Sequence, residues 1–398
     1  MTQTKVPAVF MRGGTSKGVF FRAGDLPGNV GERNDIFCAT IGSPDPHGRQ
    51  LDGMGGGISS LSKVVVIEAS ARPGIDVDYT FGQVVVDARE VDYGATCGNL
   101  SSAVGPFAVD EGLLDVTDGE AMVRVYNTNT DKVFESRFMV RNGAALTTGT
   151  FTIPGVAGSG ARVQLDYLDP AGARTGSLLP TKRLGDQVSL SDGRVIEVCC
   201  VDATTPCVFI AAADLGLSAT ELPGALEARE DVLARLEEIR AQAGVLMGLG
   251  DSPAAISLTS RASPRVAVIA PPRDMTLLDG TTLPADQMDI AVRMISMGQP
   301  HRAVPLTGGM CLAAAAHLPD SLVHRACRAD SRPEKNSDDG SGDGSNGTAL
   351  LRLGTPSGAI PIGAVVRGTG ANVAVDRITT YRTARRLMEG HVLLPEIL

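Results

Sequence analysis

The sequence predicts an α+β protein with two similar halves, each a β-sheet around a central helix. Many short runs of β-branched residues bounded by Gly, Pro or Asp indicate strands, whereas only three segments have helical character. Cys97 and Cys311 each stand at the start of an apolar helix of small residues, about half the chain apart. Because the two halves share little sequence identity, this spacing alone leaves duplication and coincidence equally open.

The predicted strands are irregularly spaced, with turn residues between them. They are Val64–Ile67, Val84–Val86, Val195–Val201, Val208–Ala213, Val266–Ile269, Ile360–Val366 and Val373–Ile378. The strongest helix covers about 224–247, where apolar residues recur at helical spacing against Arg and Glu. A second begins at Cys97, and Pro106 predicts a kink or a break in it. A third begins near Gly308 and stops before Pro319.

Length, charge and cysteine content exclude several classes of protein. A chain of 398 residues suggests two domains. A net charge of −9 disfavours nucleic acid as a partner, and the apolar stretches fall far short of the ~20 residues that a membrane span needs. Seven cysteines do not suggest a disulfide framework. The sequence therefore predicts a soluble, cytoplasmic protein, with an acidic low-complexity surface loop at 329–347.

A glycine-rich segment, Asp52–Lys63, invites a nucleotide-binding interpretation, which its details contradict. A phosphate loop needs Gly-Lys-Ser/Thr, but Ser62 precedes Lys63, and Ile58 stands where a dinucleotide motif needs its third glycine. Successive Gly and Ser N–H groups still suit a carboxylate, so an anion site that includes Ser62 stays open.

Lys63 opens the apolar run 64–67, so its amine is a candidate base. Burial disfavours the charged form of a lysine and lowers its pKa from about 10.4 toward neutrality. A lysine at the end of a strand that extends its amine to water is the commoner alternative for such a residue taken alone.

Cys97 precedes Gly98 and Asn99 at a predicted helix start. Unpaired N–H groups and the helix dipole favour a thiolate there, and the same N–H groups can hold a carboxylate. An ordinary buried cysteine with Asn99 in a cap is the commoner alternative. Four further cysteines are predicted to be structural: Cys199, Cys200, Cys207 and Cys327.

A glycine-rich turn between two apolar pieces predicts a hairpin that could present donors to an acidic substrate. Its donors are Gly13, Gly14, Thr15 and Ser16. Similar loops in the second half are a turn containing Ser357 and the segment Ser296–Gly309, which ends with Thr307, Gly308 and Gly309 and is followed by Met310 at the predicted helix start. Five scattered histidines without a carboxylate cluster make a metal enzyme improbable, and the chain has no GxSxG hydrolase motif.

Several longer motifs carry a resemblance that covers nearly the whole chain. They are MRGGTSKGVFF, GSPDPHGRQLDGMGGGISSLSK, DVDYTFGQVVVD, TCGNLSSAVGPFA, Met247-Gly248-Leu249, Ser296-Met297-Gly298 and Ala384–Gly390. On these motifs the sequence resembles the PrpF family.

The resemblance implies a diaminopimelate-epimerase-like fold: two pseudo-symmetric α+β domains, each a curled, mostly antiparallel sheet around a central helix, with the active site in the interdomain cleft. It implies an N-terminal domain over 1–183, against which 379–398 packs back, and a C-terminal domain over 184–378.

The family's catalytic lysine falls on Lys63, and its cleft cysteine falls on Cys97. The chemistry that this implies is proton transfer in an unsaturated di- or tricarboxylate without metal or cofactor. The main expectation is a 2-methylaconitate cis-trans isomerase. The resemblance leaves open whether the protein forms a homo-oligomer and whether it is functionally linked to an aconitase-like dehydratase.

Other activities stay open within this resemblance. The second half, with TGGMC after PHRAVPL, is more similar to methylitaconate or aconitate isomerases, and 4-oxalomesaconate tautomerase is a further alternative. Met310-Cys311-Leu312 lacks the Cys-Gly of a two-cysteine epimerase, which disfavours racemisation. In a different class, the protein would be a non-catalytic partner of an aconitase-like dehydratase, or a binding protein for polycarboxylates.

Overall fold

The computed structural model describes residues 3–94, 96–329, 350–368 and 373–395. The surface loop predicted at 329–347 lies outside these residues, except for Ala329.

The chain forms two compact units. Unit 1 comprises Met1–Leu165 and Tyr381–Leu398, and unit 2 comprises Asp166–Thr380. Both divisions fall within strands, β9 (Val163–Leu168) and β20 (Ala374–Arg382), rather than in loops. The sequence-based boundary between 183 and 184 therefore differs from the division of the structure, because a continuous strand carries no linker composition.

Unit 1 contains a mixed sheet and two α-helices. Its elements are β1 (Thr4–Gly13), β2 (Ser16–Arg22), α1 (Val30–Ile41), β3 (Lys63–Ala69), β4 (Val77–Val84), β5 (Val91–Asp92), α2 (Gly98–Asp110), β6 (Gly119–Asn127), β7 (Lys132–Arg141), β8 (Ala144–Ala145) and β21 (Ala384–Leu394), with a 3₁₀ turn at Ala23–Asp25. The strand order is β21-β1-β2-β3-β4-β6-β7, in which β2–β3 and β4–β6 are parallel and the others antiparallel. The C-terminal strand β21 thus pairs with the first strand of the chain.

Unit 2 repeats this plan. Its elements are β10 (Asp186–Ser189), β11 (Val195–Ala203), β12 (Thr205–Ala211), α3 (Pro223–Glu227), α4 (Glu230–Leu246), α5 (Pro253–Thr259), β13 (Arg265–Ala270), β14 (Met275–Thr276), β15 (Thr282–Leu283), β16 (Ile290–Ser296), β17 (Gln299–Pro300), α6 (Leu306–Ala316), α7 (Leu322–Ala326), β18 (Leu350–Thr355) and β19 (Gly358–Arg367), with 3₁₀ turns at Ala212–Leu215 and Ala285–Gln287. The strand order is β10-β11-β12-β13-β16-β18-β19-β20.

The two units share the positions of their parallel pairs. In unit 2 only β12–β13 and β16–β18 are parallel among these pairings, which matches β2–β3 and β4–β6 of unit 1. The central helix follows the equivalent strand in each unit, α2 after β4 and β5, and α6 after β16 and β17. The predicted α+β fold with two similar halves is therefore confirmed.

Each central helix is enclosed on all sides. Every residue of α6 is buried, as is every residue of α2 except Asp110. A helix surrounded by sheet needs no polar face, and small residues let the strands approach it. A Cβ added at Gly105 would lie 2.6 Å from the ring of Phe138, so this position requires glycine.

Two local predictions are wrong, and a third is wrong in part. Of the kink or break expected at Pro106, the break does not occur, because helix α2 runs through this residue. The helix expected over 224–247 is two helices, because Arg229 leaves helical dihedral angles (φ −101°, ψ 68°) and the acidic residues that follow favour a new N-terminus. The strand expected at Val84–Val86 is instead the end of β4, which begins at Val77.

The third helix begins at Leu306 rather than near Gly308, with Pro305 as its N-cap. Cys311 is therefore not at the helix start, and its Sγ lies 3.3 Å from the carbonyl oxygen of Val201 in the core. The position equivalent to Cys97 in the second half is thus Pro305, not Cys311.

His317 caps the C-terminal end of α6 and makes stability depend on pH. Its burial, and then the charge of His324, lower its pKa from 6.5 to about 4. Because the unfolded chain binds this proton more readily, the contribution is complete above pH 6.5 and is lost as the pH falls toward 4. We expect a loss of up to about 3 kcal/mol across this window. Urea unfolding at pH 7.5 and 4.5 tests this, and an equal loss in His317→Gln would contradict it.

Among the described residues, every helix is too short or too polar to cross a membrane.

Candidate active site

Lys63 is the first residue of β3, and its side chain is only 7% exposed. Its Nζ donates a hydrogen bond to Oε1 of Gln83 at 2.6 Å and lies 4.9 Å from the centre of the Phe81 ring. A lysine that extends its amine into bulk water would be exposed, so the structure favours a buried amine over that alternative.

The predicted hairpin forms between β1 and β2, and its turn packs against the start of α2. A Cβ added at Gly13 would lie 2.7 Å from the carbonyl oxygen of Asn99 and 2.9 Å from Cα of Leu100. Gly14 has φ +50° and donates its N–H to the carbonyl oxygen of Thr383 at 3.0 Å. Glycine at both positions thus allows the turn to contact the backbone of the helix.

Cys97 is the N-cap of α2. Its Sγ accepts the N–H of Leu100 at 3.5 Å and lies 4.0 Å from Oγ of Ser16. Gly98 and Asn99 occupy the first two helical positions, whose N–H groups have no acceptor within the helix. The structure therefore brings together the N-terminus of α2 and the hairpin turn, each of which was predicted to offer donors to an acidic group.

Arg382 was missed by the sequence analysis. It is 4% exposed, and its Nε donates to Oδ1 of Asn99 at 3.2 Å, next to the N–H of Thr15 at 3.5 Å from the same oxygen. Nη1 of Arg12 donates to the carbonyl oxygens of Gly14 and Thr383, both at 3.0 Å. No local motif marks Arg382, because Asn99 is 283 positions away in the chain.

The pKa of Arg12 is lowered by burial and then by the charge of Arg385. Since Arg12 contacts Gly14 and Arg382 contacts Asn99, two guanidinium groups lie beside the hairpin turn and the start of α2, which suits an anionic ligand.

The glycine-rich segment is organised by a single side chain. Oε1 of Gln50 accepts the N–H groups of Gly56 and Gly57, at 3.0 and 2.9 Å, and the hydroxyl of Ser62 at 2.7 Å. Gln50 is 1% exposed and has φ 53°. These three donors are therefore used within the loop, and the anion site that includes Ser62 stays a prediction.

In unit 2, the predicted donors lie in the first turns of α6. Thr307 and Gly308 occupy the second and third positions of the helix, where N–H groups lack an intrahelical acceptor. The N–H of Gly309 donates to the carbonyl oxygen of Pro305 at 3.0 Å, so this donor serves the helix itself. Met310 is completely buried one position further on.

Arg265 is a second missed residue. It opens β13 as Lys63 opens β3, it is 9% exposed, and its Nη1 donates to the hydroxyl of Thr307. The signal that singled out Lys63, a cation before an apolar run, was also present here. Ser357 lies in the turn between β18 and β19, where its hydroxyl donates to the carbonyl oxygen of Arg302 at 2.6 Å.

The other cysteines are buried. Desolvation raises the pKa of Cys199 to about 12, and it raises the pKa values of Cys200 and Cys311 as well. Such thiols are inert, in agreement with a structural role for Cys199 and Cys200. Among the described residues, no three His, Cys, Asp or Glu side chains are grouped as a metal ion would need.

Comparisons with known proteins identify a family and several similar isomerases. The family model described as "PrpF protein" matches residues 3–395. The chain is 37% identical to a 3-methylitaconate isomerase of Eubacterium barkeri, covering 98% of this chain and 97% of that one. It is 36% identical to a 2-methyl-aconitate isomerase of Cupriavidus necator, covering 99% and 98%.

Solved structures agree in fold. A methylitaconate-delta-isomerase structure is 36% identical, with a TM-score of 0.77, and the match covers 99% of this chain and 96% of that one. A hydroxyproline epimerase from Agrobacterium vitis is only 12% identical, with a TM-score of 0.52 over 99% and 94% of the two chains, and so shares the fold alone. With a family model that spans the chain, and relatives of more than 30% identity along its length, the protein belongs to the PrpF family.

Proposed function

We propose that this protein is a cofactor-independent isomerase of unsaturated di- or tricarboxylates and that its substrate is 2-methylaconitate. The observation that carries the proposal is the buried amine of Lys63, which hydrogen-bonds to a neutral amide in a chain whose relatives are named isomerases of such acids. A proton transfer of this kind needs a base, a proton donor and a site for developing negative charge.

Lys63 is the base in this proposal. Its neutral amine takes the allylic proton, the electron pair of the C–H bond enters the π-system, and a dienolate spread into a carboxylate results. Rotation about the weakened C–C bond, followed by return of the proton to the same carbon, gives the cis-trans isomer. Return of the proton to the far end of the allylic system shifts the double bond instead, as the methylitaconate relatives' names indicate for those proteins.

The negative charge requires donors that are already oriented. In unit 1 we assign this role to the N-terminus of α2, with Gly98 and Asn99, to the turn Gly13–Ser16 and to Arg382. Cys97 is the proton donor or a wall of the site. In unit 2, Thr307 and Gly308 at the start of α6 provide a second anion-binding helix end.

A functional link to an aconitase-like dehydratase stays a prediction, because such an enzyme makes or consumes alkenes of the aconitate type. A homo-oligomeric state also stays a prediction.

The test uses purified protein in D2O, with 2-methylaconitate, aconitate, methylitaconate and 4-oxalomesaconate supplied separately. Proton NMR is expected to detect isomerisation of 2-methylaconitate and deuterium at its allylic carbon. Turnover of another acid alone would contradict the substrate assignment but keep the reaction class. If none of the four acids changes, the isomerase proposal is wrong, and binding without exchange would favour an accessory or binding protein.

A further inference from the structure

We propose that Gln83 is a positioning residue for Lys63, holding its Nζ in place through a neutral acceptor. The inference rests on the proposed function, in which Lys63 is the base. It concerns a side chain that the sequence analysis passed over and that makes no contact assigned to substrate.

The strand register places the two side chains together. Lys63 and Gln83 are directly opposite each other in the antiparallel pair β3–β4, so they lie on the same face of the sheet. Both are buried, at 7% and 5% exposure, and Oε1 of Gln83 accepts a hydrogen bond from Nζ at 2.6 Å. A contact of this length in a buried setting restricts where Nζ can lie.

The orientation of the Gln83 amide is itself fixed. Its Nε2 donates to the carbonyl oxygen of Ser62, the residue before Lys63, at 2.8 Å. Turning the amide over would place its oxygen against the carbonyl oxygen of Ser62, and the hydrogen bond to the main chain would be lost. Oε1 is therefore held toward Lys63, and the main chain next to the lysine sets this geometry.

The acceptor is neutral, which matters for a base. A carboxylate at this position would stabilise the ammonium form of Lys63, and an ammonium ion cannot accept a proton. An amide oxygen gives the same direction to Nζ with no formal charge. Gln83 thus separates positioning of the amine from stabilisation of its charge.

Two titratable groups lie on neighbouring elements. Asp92 on β5 is directly opposite Gln83, on the side away from Lys63, and its carboxylate accepts the N–H of Gly94 at 2.6 Å. Cys97 caps α2. In the register of the three strands Gln83 stands between Lys63 and Asp92, so it also separates the amine from that carboxylate.

Two substitutions separate position from charge. Gln83→Met keeps the length of the side chain but removes the acceptor, and Gln83→Glu adds a charge next to the amine. Gln242→Glu is the matched control, because this amide also donates to a carbonyl oxygen, that of Ser189 at 2.8 Å, but belongs to unit 2. Thermal melts establish that each variant is folded.

The pH dependence of kcat/KM and the separate values of kcat and KM are the first readout. In Gln83→Glu the added carboxylate stabilises the ammonium form of Lys63. We therefore expect the acidic limb of the kcat/KM profile to move to higher pH by at least about one unit. For Gln83→Met we expect kcat to fall about tenfold to a hundredfold, with KM changed less than about threefold and the limb unmoved. An unmoved limb in folded Gln83→Glu, or a wild-type kcat in Gln83→Met, would overturn the proposal. Should Gln83→Glu fail to fold, Gln83→Met alone decides.

A second readout needs no substrate, so it remains informative if the protein isomerises none of the four acids. The chain has six lysines, and the Cε signal of Lys63 can be assigned in labelled protein by its absence from Lys63→Ala. We expect the titration midpoint of this signal to rise in Gln83→Glu and to stay unchanged in Gln242→Glu. An unchanged midpoint in folded Gln83→Glu would sink the positioning role, whatever the reaction proves to be.

Discussion

Lys63→Ala is expected to lower kcat with 2-methylaconitate by about 10²–10⁴-fold, which is the range that a positioned general base contributes. Deuterium incorporation from D2O should disappear together with isomerisation, because both need the same proton abstraction. Proton NMR of the reaction in D2O measures the two effects in one experiment.

The substitution should leave the protein folded. Removing the amine leaves Oε1 of Gln83 without this donor, which costs roughly 1–3 kcal/mol for a buried acceptor. Lys5→Ala is the control, because Lys5 is an exposed lysine on β1 of the same unit. If folded Lys63→Ala kept more than a tenth of the wild-type kcat, Lys63 would not be the base.

Cys97→Ala and Cys97→Ser form the second pair of variants with a large expected effect. If the thiol is the proton donor, we expect kcat to fall about 10²–10⁴-fold in both, because a serine hydroxyl is a much weaker acid than a thiol. Serine is a preferred N-cap, so Cys97→Ser should keep the start of α2, where Sγ now accepts the N–H of Leu100.

Comparison of the two variants assigns the role of the thiol. Near wild-type activity in both folded variants would make Cys97 a wall of the site. A loss in Cys97→Ala with recovery in Cys97→Ser would make it a helix cap. Cys327→Ser, at a buried cysteine of unit 2, controls for the general cost of placing a hydroxyl where a thiol was.

The fold class could be predicted because apolar strands and two buried helices leave strong local patterns. The apolar runs Val64–Ile67 and Ile360–Val366 were predicted as strands from the sequence, and they lie within β3 and β19. In contrast, β21 escaped prediction because most of its residues are exposed and it lacks an apolar pattern, so that its pairing with β1 defines it. Pairing across the length of a chain leaves no local signal.

The candidate site shows the same limit. Lys63, Cys97 and the Gly13–Ser16 turn were found from local chemistry, and the structure adds that the turn contacts the first residues of α2. Arg382 could not be found, since its only distinguishing property is a partner 283 positions away. Arg265 could have been found, because it opens an apolar strand just as Lys63 does.

The pairing of β21 with β1 has a consequence for how the protein is made. The ribosome synthesises the chain from its N-terminus to its C-terminus. All of unit 2 therefore emerges before β21, the strand that pairs with β1 in unit 1. Unit 2 is continuous in sequence and can fold as soon as it has been translated, whereas β1 must wait with one edge unpaired. Arg382 reaches Asn99 at the same late moment. Chains whose translation stops before this point therefore lack the guanidinium group beside α2, and the anion-binding end of unit 1 is assembled last.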